Sequence, residues 1–380
     1  MALPGAPPPG SGPSRRYPPS GPVSQIQTPG FAGYNIAWSP FFPDRLAIAG
    51  SANYGLVGNG RLHLVGVSSP PGGAGLPQMS LQKVFDTQDG LYDVAWSEVH
   101  ENQLVTASGD GSIKLWDSTL MDHPIRNWHE HSREVFSVDW NNIKKDVFVS
   151  SSWDASVKVW HPEQPRSLSS ITTHTACVYS AMWSPHNPDV LATACGDGHL
   201  RLFDLRAQSS PVAGPHPVAT IPVGGEVLSL DWNKYRTWNI ATGSTDKSVK
   251  VWDLRGASAN AAAGPPPPGG ANARSQGQIA AVCTGHEYAV RKVAFSPHSP
   301  SLLASASYDM TARIWDVDHP SASLSSVASR LGQPQGMGGA LKKVHDAHTE
   351  FVVGLAWGLF QEGLVASTAW DMSVHLWPSR

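Results

Sequence analysis

Four histidines in this sequence each stand 23 residues ahead of an aspartate: His131 and Asp154, His174 and Asp197, His286 and Asp309, His348 and Asp371. With a serine or threonine on an intervening strand, each pair holds the parts of a nucleophilic triad: a carboxylate to orient an imidazole, an imidazole to take a proton, a hydroxyl to attack. A catalytic triad is a single constellation, however, and this one recurs. Aspartates are followed after six positions by an aromatic: Asp110 by Trp116, Asp154 by Trp160, Asp197 by Phe203, Asp246 by Trp252, Asp309 by Trp315 and Asp371 by Trp377. Another aromatic lies twenty positions before each of these: Trp96, Trp140, Trp183, Trp232, Phe295 and Trp357. Repetition at fixed spacing assigns the residues to a stapling network running from carboxylate to imidazole to hydroxyl to indole N–H. Outside it there is no lone Ser/His/Asp set, no Gly-rich phosphate cradle followed by lysine and no metal-ligand spacing, and GDG (196–198) and GNG (58–60) read as turns. A protein without catalytic activity, cofactor or metal is expected.

Between the markers the residues alternate by twos, as in VFSVDW (135–140), DVFVSSSWD (146–154) and SVKVW (156–160). This period means three short strands with tight turns. A fourth follows each aromatic, as at SLSSIT (167–172), and four strands in about 40–45 residues make a WD-repeat blade. Gly285 and His286 supply the full Gly-His dipeptide of that repeat. A further unit lies in YNIAWSPFFPDRLAIAG (34–50), although position 58, twenty after Trp38, is glycine, and SANYGLVGNGRLHLVGV (51–67) adds residues before the third strand. Three residues follow Trp377, so the last blade lacks an outer strand, which VSQIQTP (23–29) is placed to supply. That pairing closes the ring and covers edges that would invite aggregation. The expected fold is all-β: a seven-bladed WD-repeat β-propeller whose last blade is closed by the N-terminal strand.

The expected organisation is a disordered Pro/Gly-rich leader over 1–22 and a single propeller over 23–380, with low-complexity insertions at 256–277 and 319–339. Both insertions follow a third strand, which hangs them from the bottom face as solvated linkers. The 41% apolar content with 15 Trp supports a large core, while 15% charged residues and a net charge of −3 give no basic field for nucleic acid or anionic lipid. Cys177, Cys195 and Cys283 form no CxxC pair and no secretory leader is present, which disfavours disulfides or zinc and favours a reducing compartment. No run approaches the ~18 apolar residues of a membrane helix, so a soluble protein without direct membrane insertion is expected.

With the insertions on the bottom, the top face is open. Its upward positions precede the turn aspartates or lie four and six places before the first aromatic of a unit. The former are Trp153, Tyr308 and Trp370; the latter are Tyr34, Tyr92, Phe136, Tyr179, Glu134 and Glu226, with Asp89 one position early and Arg291 breaking the acidic trend. Aromatics among carboxylates suit a ligand with both apolar and cationic side chains. The competing reading of each single aromatic is that it caps its own blade.

Several segments carry more than the general repeat: GYNIAWSPFFPDRLAIAGSANYGLVGNGRL (33–62), DGLYDVAWSE (89–98), SGDGSIKLWD (108–117), EVFSVDWN (134–141), YSAMWSPHNPD (179–189), AVRKVAFSPHSPSLLASASYD (289–309) and HTEFVVGLAW (348–357). In these the chain resembles the peroxisomal targeting signal 2 receptor family, the seventh peroxin, from about Gly30 to Trp377; the leader and the insertions depart from it. The resemblance implies a cytosolic import receptor that cycles to the peroxisome matrix. Its cargo proteins would bear an N-terminal nonapeptide: Arg/Lys, Leu/Val/Ile, five variable residues, His/Gln, Leu/Ala. An import co-receptor and a docking complex at the peroxisomal membrane are implied with it. In a helix, positions 1 and 8, like 2 and 9, return to one face, giving a basic and apolar stripe. Glu134 and Glu226, with Asp89, are expected to face the basic position; Trp153, Tyr308, Trp370 and Tyr179, with Tyr92 and Phe136, the apolar ones. A different WD adaptor, a histone-tail reader or a ubiquitin-ligase substrate adaptor, would use the same face for another peptide. Nothing like an F-box or a long interaction helix precedes the propeller, and the first-blade insert favours the import receptor.

Overall fold

A computed structural model describes residue 21 and residues 23–56, 58–69, 75–120, 123–206, 215–255, 277–320 and 338–380. Nearly all of the leader, and nearly all of the two insertions, lie outside the described residues. Strand β1 (Ser24–Gln27) precedes the first blade, which is β2 (Ala32–Trp38), β3 (Arg45–Ser51), β4 (Gly60–Ser68) and β5 (Gln78–Thr87). Blade 2 is β6 (Leu91–Trp96), β7 (Gln103–Ser108), β8 (Ile113–Asp117) and β9 (Arg126–Trp128); blade 3 is β10 (Val135–Trp140), β11 (Phe148–Ser152), β12 (Val157–Trp160) and β13 (Ser169–Ile171). Blade 4 is β14 (Val178–Trp183), β15 (Val190–Cys195), β16 (His199–Asp204) and β17 (Ala219–Pro222); blade 5 is β18 (Val227–Trp232), β19 (Asn239–Ser244), β20 (Val249–Asp253) and β21 (Gln278–Cys283). Blade 6 is β22 (Val290–Phe295), β23 (Leu302–Ser307), β24 (Ala312–Pro320) and β25 (Gly339–His345), and blade 7 contributes β26 (Val352–Trp357), β27 (Leu364–Ala369) and β28 (Ser373–Pro378).

The fourth strand of blade 7 is β1, antiparallel to β28 with Ser24 opposite Leu376 and Gln27 opposite Ser373. Ile26 packs against the cluster holding Val374 and Leu376, and the Thr28 N–H donates to the Met372 carbonyl at 2.7 Å. The seven-bladed ring closed by the N-terminal strand is therefore the observed architecture. Its core sits between blades: Leu115 and Trp128 of blade 2 pack with Val138, Phe148 and Trp160 of blade 3. Indoles ending the inner strands hook neighbouring blades, Trp96 donating to the Ala37 carbonyl at 3.1 Å and Trp357 to that of Ala294 at 2.8 Å. Blades 7 and 1 approach so closely that a Cβ on Gly33 would lie 1.8 Å from Thr368 Oγ1.

Every inner strand breaks register at one position, skipping Tyr34, Tyr92, Phe136, Tyr179, Leu228, Arg291 and Val353. A bulged residue leaves the ladder and its side chain is re-aimed. Seven bulges thus turn one residue per blade into the central channel, which explains why the position four before the inner aromatic points there.

The stapling network is present in blades 3, 6 and 7. In blade 3, His131 Nδ1 lies 2.9 Å from Asp154, its Nε2 lies 2.8 Å from Ser150, and Trp160 donates to the same hydroxyl at 2.8 Å. Asp309, His286, Ser305 and Trp315 repeat this, as do Asp371, His348, Ser367 and Trp377. Burial alone would raise these carboxyls, but bonds from the imidazole and the turn hydroxyl outweigh it and hold Asp309 at about 2 and Asp154 and Asp371 lower still. Blade 4 departs from the expected spacing rule. His174 reaches Thr193 at 2.9 Å but not Asp197, whose two oxygens are taken by Arg201 at 3.0 and 2.6 Å and by Thr175 at 2.9 Å. A guanidinium fork satisfies both carboxylate oxygens and leaves the histidine out. In blades 2 and 5, where no histidine stands 23 residues back, Lys114 and Lys250 reach Asp110 and Asp246 at 3.2 and 2.6 Å.

Candidate functional site

The seven bulged residues meet on the propeller axis, and the void they leave is only about 10 Å³, room for about one water. The channel is plugged. Tyr34, Tyr92, Phe136, Tyr179 and Tyr308 are all buried, whereas Trp153 and Trp370 are half-buried at the rim. Most of the aromatics expected to offer open surface therefore fill the hole that a ring of seven sheets leaves. They still form one unit. Trp153 stacks on Phe136 with ring centres 4.9 Å apart, Phe136 on Tyr92 at 4.9 Å, and Tyr179 meets Phe136 edge-on at 5.7 Å. Tyr92 continues to Tyr34 at 5.0 Å, Tyr34 to Trp370 at 5.7 Å, Trp370 to Phe351 at 5.3 Å and Phe351 to Tyr308 at 5.2 Å. All seven aromatic candidates belong to this belt. Phe351, its missing link, stands six before Trp357 and was open to the same positional reading as Glu134.

The carboxylates line the rim beside the belt. Glu226 accepts a hydrogen bond from the Tyr179 hydroxyl at 3.3 Å. Asp89 accepts one from the Gly90 N–H at 2.7 Å; burial raises its pKa, and Asp110 and Glu134 add to that. Glu134 is an ion-pair partner of Arg133 at 3.5 Å, and that guanidinium lies 5.5 Å from the centre of the Trp153 ring. Glu134 is thus already partly neutralised, whereas among the described residues neither Glu226 nor Asp89 has a lysine or arginine in ion-pair contact. The field of the arc reaches the plug: the Tyr92 phenol is pushed up to about 12, first by burial and then by Asp89 and Glu134, and Cys177 is raised by burial with Glu226 and Glu134 contributing. On the far side, buried Arg291 lies 5.2 Å from the Phe136 ring centre and donates to the Leu228 carbonyl at 3.4 Å. It offsets the arc from within and does not extend the ligand surface.

A path over the rim is set by blade 1. Its connection from β3 to β4 replaces a two-residue turn with the single 3-10 turn Ala52–Gly55, which spans the top of the plug. The Tyr34 hydroxyl donates to the Tyr54 carbonyl at 2.6 Å and the Tyr92 hydroxyl to the Gly55 carbonyl at 3.2 Å.

One histidine cluster was not visible in the linear sequence: His345 of blade 6 with His348 and His375 of blade 7, all buried. Their nitrogens come within 4.8 Å of one another. The His348 and His375 rings, however, stack at 3.8 Å and 8°, so their in-plane lone pairs run parallel and do not converge on one ion. Both His348 nitrogens are also spent on Asp371 and Ser367. The cluster reads as packing across the last blade interface.

With this geometry in place, the comparisons with known proteins decide the family. The WD domain, G-beta repeat family matches residues 79–117, 122–161, 165–204, 216–253 and 277–316. Each match starts on the outer strand of one blade or just before it and ends at the third strand of the next, so a sequence repeat straddles two blades. The chain is 40% identical to the peroxisomal targeting signal 2 receptor of Komagataella phaffii, over 93% of this chain and 98% of that relative. This chain belongs to the peroxisomal targeting signal 2 receptor family. The Homo sapiens member of the same name is 37% identical over 88% of each chain, and peroxisome biogenesis protein 7 of Arabidopsis thaliana is 41% identical over 91% of this chain and 95% of its own. The Komagataella phaffii and Homo sapiens relatives are targeting receptors by name, and no helix among the described residues is long and apolar enough to cross a membrane.

Proposed function

We propose that this protein is an import receptor for cargo bearing the type 2 peroxisomal targeting signal, working as a binding platform and not as a catalyst. Membership of the family over almost the whole chain is the observation that carries the reading. The top face supports it chemically. Glu226 and Asp89 offer carboxylates to the basic position of a helical signal, with Glu134 reached by exchange from Arg133, while Trp153 and Trp370 offer rim surface to its apolar positions. Tyr92, Phe136, Tyr179 and Tyr308 form the floor that holds those groups in place. A nine-residue helix is about 13.5 Å long and marginal in water, so ordering it consumes much of the contact energy. A co-receptor that covers the helix offsets that cost, and the same complex would carry the receptor from cytosol to the docking complex at the peroxisomal membrane and into the matrix. Repetition of the Asp–His–Ser sets in three blades, each closed by an indole, leaves no unassigned nucleophile in them for catalysis.

The reading is tested by expression in cells whose own type 2 receptor has been deleted. A type 2 reporter should return to peroxisomes while a reporter carrying the C-terminal type 1 signal is unaffected. A type 2 reporter that stays diffuse despite normal expression of the protein contradicts it.

A further inference from the structure

The bridge over the plug is strained. Asn53 and Tyr54 hold φ of 49° and 56°, and Gly55 follows at 70°. Two successive non-glycine residues in the left-handed region are unfavourable unless the surroundings enforce them. Here Tyr34 and Tyr92 do so, both phenols being spent on bridge carbonyls. No side chain fits at Gly55, where a Cβ would lie 2.5 Å from the Tyr34 hydroxyl. The strained turn presents two apolar side chains to solvent: Tyr54 is 44% and Leu56 63% exposed. Tyr54 also lies 5.6 Å from the Trp370 ring, so it continues the half-buried end of the aromatic belt, with Leu56 two residues further along the same turn. Trp370 and the bridge belong to blades 7 and 1, while Asp89, Glu134 and Glu226 stand at blades 2, 3 and 5.

We infer that Tyr54 and Leu56 form the apolar wall of the signal site and set its preference for a large aliphatic side chain at the second position of the signal. The inference rests on the receptor reading above. A helix lying between the two sides presents its basic positions to the carboxylates and its apolar positions to Tyr54, Leu56 and Trp370, so that charge and apolar surface are read by different blades. The bridge is held from below by residues of the plug, which fixes the wall relative to the carboxylates and keeps the two readings in register.

The test uses the full chain with Tyr54→Asn and Leu56→Ser together; asparagine tolerates the left-handed backbone, and both positions are exposed. Labelled carrier-fused signal peptides with Leu or Ala at the second position are titrated in the presence of co-receptor. The unaltered chain should prefer Leu by about tenfold or more. The double variant should bind the Leu peptide about tenfold more weakly and prefer it by less than threefold, while Glu226→Lys still abolishes what binding remains. Gly55→Ala, which displaces the bridge and leaves both side chains, should reproduce the loss of preference. Undiminished preference in the double variant overturns the wall alone; failure of the unaltered chain to bind either peptide overturns the receptor reading and the wall with it.

Discussion

Deleting residues 23–29 is expected to lower the melting temperature by about 10 °C and to make the chain prone to aggregation. The deletion removes four paired positions on β28, each backbone bond contributing about 1 kcal/mol net, together with the contact of Ile26 with Val374 and Leu376, about 1.5 kcal/mol. A loss of about 5.5 kcal/mol is a large share of the 5–15 kcal/mol typical of a domain. It also bares β28 as an edge whose Val374, Leu376 and Trp377 are buried in the closed ring, a template for pairing between molecules. Ile26→Asp should produce part of the shift, whereas Gln25→Lys, on the exposed face of β1, should leave melting unchanged. Circular-dichroism melting with light scattering checks all three. Identical melting of the truncated and full chains would contradict closure of the ring by this strand.

The second large effect expected is on acid stability. Burial first, and then the neighbouring imidazoles and Lys343, with Asp371 opposing, hold His345 at about 2; burial and then His348, with Asp371 opposing, hold His375 at about 3. His345 stacks on Trp377 at 4.6 Å, and its Nε2 lies 3.1 Å from His375 Nδ1, which leaves no room for a hydrated cation. His63 and His174 are held at about 4, again chiefly by burial. An unfolded histidine takes its proton near pH 6.5. Below that pH the unfolded chain binds more protons than the folded one, so stability is full above 6.5 and falls with pH until the folded values are reached. At pH 5 the loss is about 2 kcal/mol for each such histidine. Asp139 acts in the opposite sense, since burial raises it to about 7 and it takes a proton on folding, as Asp89, Glu98 and Glu350, raised by burial, do in the same direction; buried His286, lowered by burial, adds to the histidine side. The urea midpoint should therefore fall steeply between pH 7 and 5. His345→Phe, which keeps the stack on Trp377, should flatten that fall. A midpoint independent of pH over this range would contradict the buried neutral cluster.

The ring was legible because its signals are local and repeated: the six-residue interval from Asp154 to Trp160 records a turn and a strand, and the alternation in VFSVDW records a half-buried pairing. The bulge at Phe136 was not legible, because it depends on how β10 meets β11, and with it went the burial of the aromatic candidates. Spacing placed Tyr34, Tyr92, Phe136 and Tyr179 on the upward face but did not tell that they turn into the axis and help to fill it. Arg201 shows a further limit: His174 has the expected interval, yet a competing donor four residues beyond Asp197 takes the carboxylate. Glu134 was read as an available carboxylate because its pairing with adjacent Arg133 depends on a rotamer. The cluster of His345, His348 and His375 joins two blades and has no interval of its own.

Recognition by the top face turns on one proposed contact, that of Glu226 with the basic side of an amphipathic signal helix. Fluorescence anisotropy of a labelled signal nonapeptide fused to a carrier, with co-receptor present, tests it most directly when run as a charge exchange. Binding should be saturable, lost when the first peptide position is changed to Glu, lost again with Glu226→Lys, and recovered at least in part when both reversals are combined. Binding that tolerates Glu226→Lys would place the signal elsewhere on the propeller, and no binding by the unaltered chain would contradict the receptor function itself.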